Sequence, residues 1–228
     1  MKHSGKARKA AFKMLAITLA LVLLVPIIGF LATVVGTAMV GISIFLFVLW
    51  AAFAIFVLYF FRDPNPNVPT GAKLVVSPGH GKVDVIDTTI EAKFLGGECQ
   101  RVSIFLSVID VHVQNAPISG KVAYLKYTEG EFMNAMKTEC ATCNENFLIG
   151  FESSESPGTK IGLRLIAGVI ARRIIPWIEV GDEVNRGDRI SLIQFGSRCD
   201  VYLPLSAKIQ VKLGDRVVGG ETVIAAFE

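Results

Sequence analysis

The sequence predicts a mainly β protein preceded by a transmembrane hairpin of two helices. Residues 14–61 contain no acidic, basic or histidine side chain, whereas one bilayer crossing needs only about 20 apolar residues. From residue 73 onward, short β-branched and aliphatic runs alternate with Gly, Pro and Asp turns. That alternation is typical of a β domain built from short strands. The chain therefore divides into an apolar anchor and a polar domain.

The anchor is predicted to form helices at residues 14–34 and 38–61, with the turn at Gly36, where a glycine interrupts the apolar run. Residues 1–13 form a basic tail that contains no acidic residue. Its basic residues are Lys2, Lys6, Arg8, Lys9 and Lys13. Positive flanks stay on the cytoplasmic side of a membrane, so the hairpin is expected to return the chain to that side.

A secretory signal peptide is the alternative for this N-terminus, because it too begins with basic residues followed by an apolar run. The apolar core of a signal peptide spans only about 7–15 residues. The run at residues 14–61 is several times longer, so we favour the anchor.

Charge and cysteine content exclude other classes of function. Residues 62–228 contain nearly equal numbers of basic and acidic side chains, which argues against a nucleic-acid partner. The basic tail is suited to anionic lipid head groups, at about 1 kcal/mol per residue, although it could equally serve as a topology signal alone. Cys99, Cys140, Cys143 and Cys199 are too scattered for a disulfide framework. Cys140 and Cys143 lack the second pair that a zinc site needs, so no metal is expected.

Residues 62–72 are rich in proline and turn formers and are predicted to be a linker. Residues 160–175 are long enough for a helix, but two glycines and six Ile or Val residues favour a strand. The other candidate strands are residues 74–77, 82–86, 102–108, 121–127, 179–180, 189–195 and 201–203.

Two weak internal sequence repeats refine the fold prediction. Residues 180–188 recur in pattern at residues 213–221, and residues 78–83 recur at residues 117–122. Paired Gly-Asp-x-Val-x-x-Gly hairpins resemble those of lipoyl- and biotinyl-like barrel-sandwich domains, so this is the fold expected for residues 73–228. The segment between the hairpins carries Gly196 and Ser197 instead of an exposed lysine at a turn.

Six motifs in a fixed order are similar to those of the phosphatidylserine decarboxylase family in its short bacterial and archaeal form. They lie at residues 60–64 (FFRDP), 77–83 (SPGHGKV), 105–113 (FLSVIDVHV), 144–146 (NEN), 166–173 (IAGVIARR) and 195–204 (FGSRCDVYLP). We assign no role to Asn144 and Asn146.

The resemblance implies a proenzyme that cuts itself between Gly196 and Ser197 into a larger chain, 1–196, and a smaller chain, 197–228, which stay associated. A serine hydroxyl can attack the carbonyl before it, and Gly196 leaves that carbonyl unshielded and tolerates a strained backbone. Elimination and hydrolysis then convert Ser197 into a pyruvoyl group. Without the resemblance, Gly-Ser would be read as an ordinary hairpin turn.

The implied activity is decarboxylation of phosphatidylserine to phosphatidylethanolamine, with the pyruvoyl carbonyl as electron acceptor. His112, in the family's Asp-x-His motif, is the candidate for proton transfer. Some family members have two histidines in this segment, so His112 is left to serve both self-cleavage and decarboxylation. His80 stands where the family usually has Asp. It could act as a base, accept a hydrogen bond as a neutral imidazole or be oriented by Asp84, and loss of self-cleavage is the remaining alternative.

Arg172, Arg173 and Arg198 are candidate substrate-binding residues, because guanidinium groups bind phosphate and carboxylate; plain surface charge is the alternative. The expected location is the cytoplasmic face of the inner membrane, with phosphatidylserine in that membrane as partner. Association with further copies of the chain is left open. Two rival functions remain, an uncleaved lipid-binding family member and a membrane-tethered lipoyl-like scaffold without chemistry.

Overall fold

The computed structural model describes residues 5–31, 36–131, 143–168, 173–194 and 196–227. The chain separates into two compact units. The first comprises Gly5–Asp63, and the second contains Pro64–Glu228. The first unit is helical and the second is built from β-strands.

The first unit contains helices α1 (Lys6–Leu31) and α2 (Gly36–Phe60). The indole N–H of Trp50 donates to Thr18 Oγ1 at 2.9 Å, and Gly29 lies against Met39, so the helices run antiparallel. Both are long and apolar enough to cross a membrane. α1 begins before the predicted residue 14, because Lys and Arg are good helix formers and extend it into the basic tail.

The second unit is mainly β, and fourteen strands lie within its described residues. They are β1 (Leu74–Val76), β2 (Gly81–Glu91), β3 (Gly97–Leu106), β4 (Val113–Asn115), β5 (Gly120–Thr128), β6 (Asn146–Ser153), β7 (Lys160–Ala167), β8 (Ile174–Pro176), β9 (Glu183–Val184), β10 (Arg189–Ile193), β11 (Ser197–Leu203), β12 (Lys208–Ile209), β13 (Arg216–Val217) and β14 (Val223–Ala226).

The main sheet has the order β13-β2-β3-β11-β7-β6-β5-β9 and curls into a half-barrel. Two small sheets, β1-β14-β12 and β4-β10-β8, complete the unit. β11 lies between β3 and β7, and all seven of its residues are buried. Alternate apolar side chains of these three strands, such as Leu106, Leu165 and Val201, enter one core.

The two pairs of internal repeats contact each other in the same way. Residues 213–221 pair with residues 78–83, and residues 180–188 pair with residues 117–122. In each case a Gly-Asp turn exchanges two backbone hydrogen bonds with a valine, which adds β13 to β2 and β9 to β5. Gly214 and Asp215 bond in this way to Val83, and Gly181 and Asp182 bond to Val122. The fold is therefore built from two similar halves, which confirms the barrel-sandwich prediction.

The predicted linker lies on the β unit. Gly187 and Gly220 occupy equivalent places in the two repeats and have left-handed φ angles of 82° and 74°. Val68 fills the space beside Gly187, and Pro66 fills the space beside Gly220, where a Cβ would come within 2.8 Å. These two glycines therefore allow both a turn and a close contact with the incoming chain.

Two strand predictions need correction. Residues 160–175 do not form one strand, because β7 ends at Ala167 and a separate β8 begins at Ile174; residues 169–172 lie outside the described part of the chain. The strand predicted at residues 179–180 is wrong. The Asp182 N–H donates to the Glu179 carbonyl at 3.2 Å and the Glu179 N–H donates to Asp182 Oδ2 at 3.0 Å, and these bonds make a turn.

Candidate active site

The Gly196–Ser197 peptide stands at the start of β11, the buried strand at the centre of the main sheet. Ser197 pairs with Leu106 of β3 and with Ala167 of β7. Gly196 has a left-handed φ of 71°, a conformation that costs a non-glycine residue about 1–2 kcal/mol. The predicted cleavage site thus joins a backbone conformation that favours glycine to a residue fixed in the sheet. Phe195 of the same motif lies outside the described residues.

Both polar backbone groups of Gly196 are hydrogen-bonded to other parts of the β unit. Its N–H donates to Nε2 of His112 at 3.1 Å. Its carbonyl oxygen accepts a hydrogen bond from the Gly168 N–H, also at 3.1 Å. The carbonyl that Ser197 would attack is therefore fixed by one hydrogen bond at its own oxygen and by another at the N–H of the same residue.

His112 is fully buried, and its contacts define its tautomer. A backbone N–H can only donate, so Nε2 must accept the hydrogen bond from Gly196. The proton then sits on Nδ1, which donates to the backbone carbonyl of Asp110 at 2.9 Å. His112 is thus a neutral imidazole whose Nε2 lone pair points at the residue before Ser197.

The Asp110 carboxylate contacts groups other than His112. It accepts hydrogen bonds from the N–H and Oγ of Ser107 at 2.9 and 2.6 Å and from Arg216 at 3.0 Å. Burial raises the pKa of Asp110, but these hydrogen bonds and the Arg216 charge outweigh burial and lower that pKa below its usual value. Asp110 fixes the turn before His112 and orients the imidazole through its main chain.

A buried polar chain supports His112 from behind. Gln114 Nε2 donates to the His112 carbonyl at 2.7 Å, and Ser191 Oγ donates to Gln114 Oε1 at 2.9 Å. Gln114 and Ser191 are fully buried. Sequence reasoning missed both residues, although the position of Gln114, two places after His112, was a usable signal.

The Ser197 hydroxyl is buried and makes no hydrogen bond within the described residues. A buried polar group without a partner costs about 1–3 kcal/mol, so its place in a central strand needs an explanation. A serine that is consumed by the protein's own chemistry supplies one. The position is thus compatible with the pyruvoyl group expected from Ser197.

His80 is partly buried and lies beside Gly219, where an added Cβ would come within 3.0 Å of the imidazole Cδ2 and 2.9 Å of Asn115 Oδ1. The preceding residue, Gly79, lies against the side chains of Leu106 and Cys199. Leu106 is the strand partner of Ser197. His80 thus follows a residue that contacts the cleavage region, while its role stays a prediction.

Arg198 is buried and paired with two carboxylates. Its Nε donates to Asp200 Oδ1 at 2.9 Å, and its Nη1 lies 3.1 Å from Asp84 Oδ2. Burial raises the pKa of Asp84 above its usual value, an effect that the Arg198 charge reduces without cancelling. Neighbours in a strand point to opposite faces, so Arg198 and Ser197 lie on opposite sides of the sheet. The Asp84 carboxylate is thus paired with Arg198, while its role as an orienting group for His80 stays a prediction.

For the remaining arginines and cysteines singled out in the sequence, the structure gives fewer contacts. Arg173 is exposed, and its carbonyl accepts a hydrogen bond from the Gln194 N–H at 3.1 Å. Arg172 and Cys140 lie outside the described residues, whereas Cys143 is exposed. A phosphate-binding role of Arg172 and Arg173 stays a prediction.

Asn144 and Asn146, to which sequence reasoning gave no role, contact the end of β7. Asn144 Nδ2 donates to the Ala167 carbonyl at 2.7 Å. Asn146 Nδ2 donates to the Asn144 carbonyl at 2.8 Å. Ala167 precedes Gly168, the residue that donates to the Gly196 carbonyl. The segment 144–146 is therefore part of the candidate site.

The fold and the site together define a lipoyl-like β protein with a Gly-Ser peptide built into the start of its central strand, beside a buried neutral imidazole. The family model for phosphatidylserine decarboxylase matches residues 53–225. The chain belongs to the phosphatidylserine decarboxylase family.

Relatives in three bacteria agree with this assignment, and each is named phosphatidylserine decarboxylase proenzyme. The protein of Desulfotalea psychrophila is 44% identical over 88% of this chain and 92% of its own length. That of Symbiobacterium thermophilum is 41% identical over 82% and 89%, and that of Ruegeria pomeroyi is 38% identical over 82% and 90%.

Proposed function

We propose that this member of the phosphatidylserine decarboxylase family converts phosphatidylserine to phosphatidylethanolamine with a pyruvoyl group that it makes from Ser197. The observation that supports this most directly is the Gly196–Ser197 peptide. A left-handed glycine, a buried hydroxyl without a hydrogen-bond partner among the described residues and the His112 imidazole meet at that peptide bond.

Self-cleavage would begin with the Ser197 hydroxyl. Its Oγ bonds to the carbonyl carbon of Gly196, the C–N bond of the peptide breaks, and the hydroxyl proton passes to the freed nitrogen. The ester formed then loses the Cα proton of residue 197 as the Cβ–Oγ bond breaks, so Gly196 leaves as a carboxylate. Water replaces the nitrogen of the remaining dehydroalanine, and ammonia and the pyruvoyl group result.

The residues around position 197 suit that group. β3 and β7 hold the start of β11 on both sides through Leu106 and Ala167, so the new chain end would stay fixed in the sheet. The pyruvoyl group supplies an electron-accepting carbonyl for decarboxylation of the amine-bearing head group. The protein contributes position and proton transfer.

His112 is proposed to move the proton in decarboxylation. In the uncut chain its Nε2 is occupied by the Gly196 N–H. Cleavage makes Gly196 a chain end, which releases Nε2 next to residue 197. The Nδ1–H bond to the Asp110 carbonyl keeps Nε2 as the atom that exchanges the proton.

The two apolar helices are compatible with membrane association. We propose that they anchor the chain in the inner membrane with the β unit on the cytoplasmic face, where Arg172 and Arg173 would bind the phosphate or carboxylate of the lipid. The basic residues that begin α1 support this orientation. A reporter fused after residue 228 that is active only outside the cytoplasm would contradict it.

The test uses the full chain purified in detergent. We expect two chains on a denaturing gel, with a smaller chain that begins at residue 197 and resists Edman degradation, because a ketone replaces its amino group. Phosphatidylserine followed by borohydride should attach the lipid to that chain. Ser197→Ala should stay uncut and attach nothing, whereas Ser197→Cys should cut slowly, because a thiol can undergo the same acyl shift.

Ser103 offers a matched control. It lies on β3, is fully buried and, like Ser197, has a hydroxyl without a hydrogen-bond partner among the described residues. Ser103→Ala should therefore cut normally. A wild-type protein that remains one chain without a reducible carbonyl would reject the proposal and favour an uncleaved lipid-binding protein.

A further inference from the structure

The carbonyl oxygen of Gly196 is the atom on which negative charge would develop during self-cleavage. Attack by Ser197 Oγ turns the carbonyl carbon tetrahedral and leaves an oxyanion at that oxygen. The Gly168 N–H already donates to this oxygen at 3.1 Å. Hydrogen bonds to charged acceptors are about twice as strong as those between neutral groups, so this one would strengthen as the reaction proceeds.

The Gly168 N–H belongs to the same planar peptide unit as the Ala167 carbonyl. In a trans peptide these two groups point in opposite directions. Asn144 Nδ2 donates to the Ala167 oxygen at 2.7 Å, so it holds one side of the unit while the other side faces Gly196. A hydrogen bond accepted by a peptide carbonyl also polarises the N–H of that unit and makes it a better donor.

Further contacts fix this arrangement. The Ala167 N–H donates to the Glu145 carbonyl at 2.9 Å. Asn144 is almost fully buried, and its backbone carbonyl accepts the hydrogen bond from Asn146 Nδ2. The donor thus needs little reorganisation when charge appears at Gly196, which is the condition for a large electrostatic contribution to rate.

We propose that the Gly168 N–H is an oxyanion donor for self-cleavage and that Asn144 is the positioning residue that aims and polarises it. The inference rests on the proposed cleavage at Gly196–Ser197 and assigns a role to the 144–146 segment. It concerns ester formation, since the oxyanion exists only while Ser197 attacks the carbonyl.

The direct test replaces the Gly168 N–H by an ester oxygen. Cell-free synthesis of the full chain with glycolic acid at position 168 changes only this atom, and the same procedure with glycine is its control. Loss of one oxyanion donor lowers rates by about 10²–10³-fold, so we expect self-cleavage to slow by about 100-fold or more. Cleavage within twofold of the glycine control would overturn the proposal.

Hydroxylamine identifies the step that is affected. It cuts the ester intermediate directly, leaving a hydroxamate on Gly196 and a free amine on Ser197, so release of the 197–228 fragment at saturating hydroxylamine reports ester formation alone. Hydroxylamine also cuts the ester introduced before position 168, so that protein is followed by this fragment and not by total chain breakage. The defect should persist under this condition. Recovery of the control rate would place the lost group in the elimination step and refute the oxyanion role.

Asn144→Ala and Asn144→Asp supply an independent test, because neither side chain at neutral pH donates to the Ala167 carbonyl. Each should slow chain breakage in hydroxylamine by about threefold to tenfold, while Asn146→Ala, which leaves that bond in place, should change it less. Thermal unfolding of the same variants in an uncut Ser197→Ala chain gives the temperature range in which they are folded, and cleavage rates are compared within that range.

Wild-type rates in both Asn144 variants would reject the positioning role even if the ester-substituted chain does not fold. A wild-type chain that never cuts would instead reject the proposed function. The two failures are therefore distinguishable.

Discussion

The N–H of Gly196 donates a 3.1 Å hydrogen bond to Nε2 of His112. In the uncut chain the imidazole lone pair is therefore bound to the residue that cleavage would convert into a chain end. His112 cannot accept the Ser197 proton at Nε2 without first losing this bond. Under the proposed function, its role before the cut would be to hold residue 196, and proton transfer at Nε2 would belong to the cut protein.

This division predicts different outcomes for two substitutions. His112→Ala removes the acceptor for the Gly196 N–H and should slow self-cleavage. His112→Gln offers an amide oxygen as acceptor but no base, so it should cut faster than the Ala variant. Once cut, it should decarboxylate about 10²–10⁴-fold more slowly than wild type. Gel analysis and product formation measure the two steps, and a cut Gln variant with wild-type turnover would contradict the assignment.

His80 replaces the aspartate usual in the family, so its variants test whether this position assists cleavage. If it does, His80→Ala should accumulate the full-length chain, and His80→Asp should cut at least in part. Lys82→Ala, an exposed change two residues away, is the control. Normal processing of the Ala variant would show that position 80 is dispensable.

Arg198 and Arg173 should respond differently to substitution. Arg198→Met leaves the buried Asp200 carboxylate without its partner at 2.9 Å, which should cost roughly 3–5 kcal/mol of stability. Adding Asp200→Asn should recover much of this loss. Exposed Arg173→Ala should instead raise KM and leave unfolding unchanged. A raised KM with unaltered stability for Arg198→Met would contradict this expectation and support its predicted substrate-binding role.

The linker contact can be measured with a matched pair of glycines. Gly220→Ala introduces a left-handed alanine and a Cβ within 2.8 Å of Pro66, whereas Gly158→Ala introduces a left-handed alanine at a similar φ with nothing within 4 Å. The first should cost about 1–3 kcal/mol more than the second. Urea unfolding of the uncut Ser197→Ala chain gives both values, and equal losses would show that the linker contact contributes nothing.

The lowered pKa of Asp110 predicts a pH dependence of stability. The contribution of its carboxylate is fully present above the unfolded-state value of 3.8 and is lost as pH falls through the lower folded-state pKa. The Ser197→Ala chain should therefore lose stability in that window. Asp110→Asn should start less stable and lose less there, and parallel curves for the two proteins would contradict the assignment.

Features that residue identity encodes could be predicted from the sequence. The repeats predicted the docked hairpins, because Gly and Asp are required by those turns. The motif order located Gly196, Ser197 and His112. Period-two alternation along the strand also encodes that Arg198 points away from Ser197.

Other features depend on register and backbone, which residue types do not reveal. Almost every residue has a backbone N–H, so the residue type of Gly168 gives no signal. Its N–H lies next to the Gly196 carbonyl because Ser197 pairs with Ala167 in the sheet. Asn144 was passed over for the same reason, since its partner is a main-chain oxygen 23 residues away. The prediction of a strand at residues 179–180 was wrong because these residues belong to the turn that Glu179 and Asp182 close.

The position of β11 has a consequence for the lifetime of the cut protein. A break before Ser197 would leave a smaller chain that begins inside the main sheet, hydrogen-bonded to β3 on one side and β7 on the other. Its later strands pair with β1 and β2 of the larger chain. Dissociation would require the sheet to come apart, so two mature molecules should not exchange subunits. Differently labelled preparations mixed after cleavage should still contain only their original pairs.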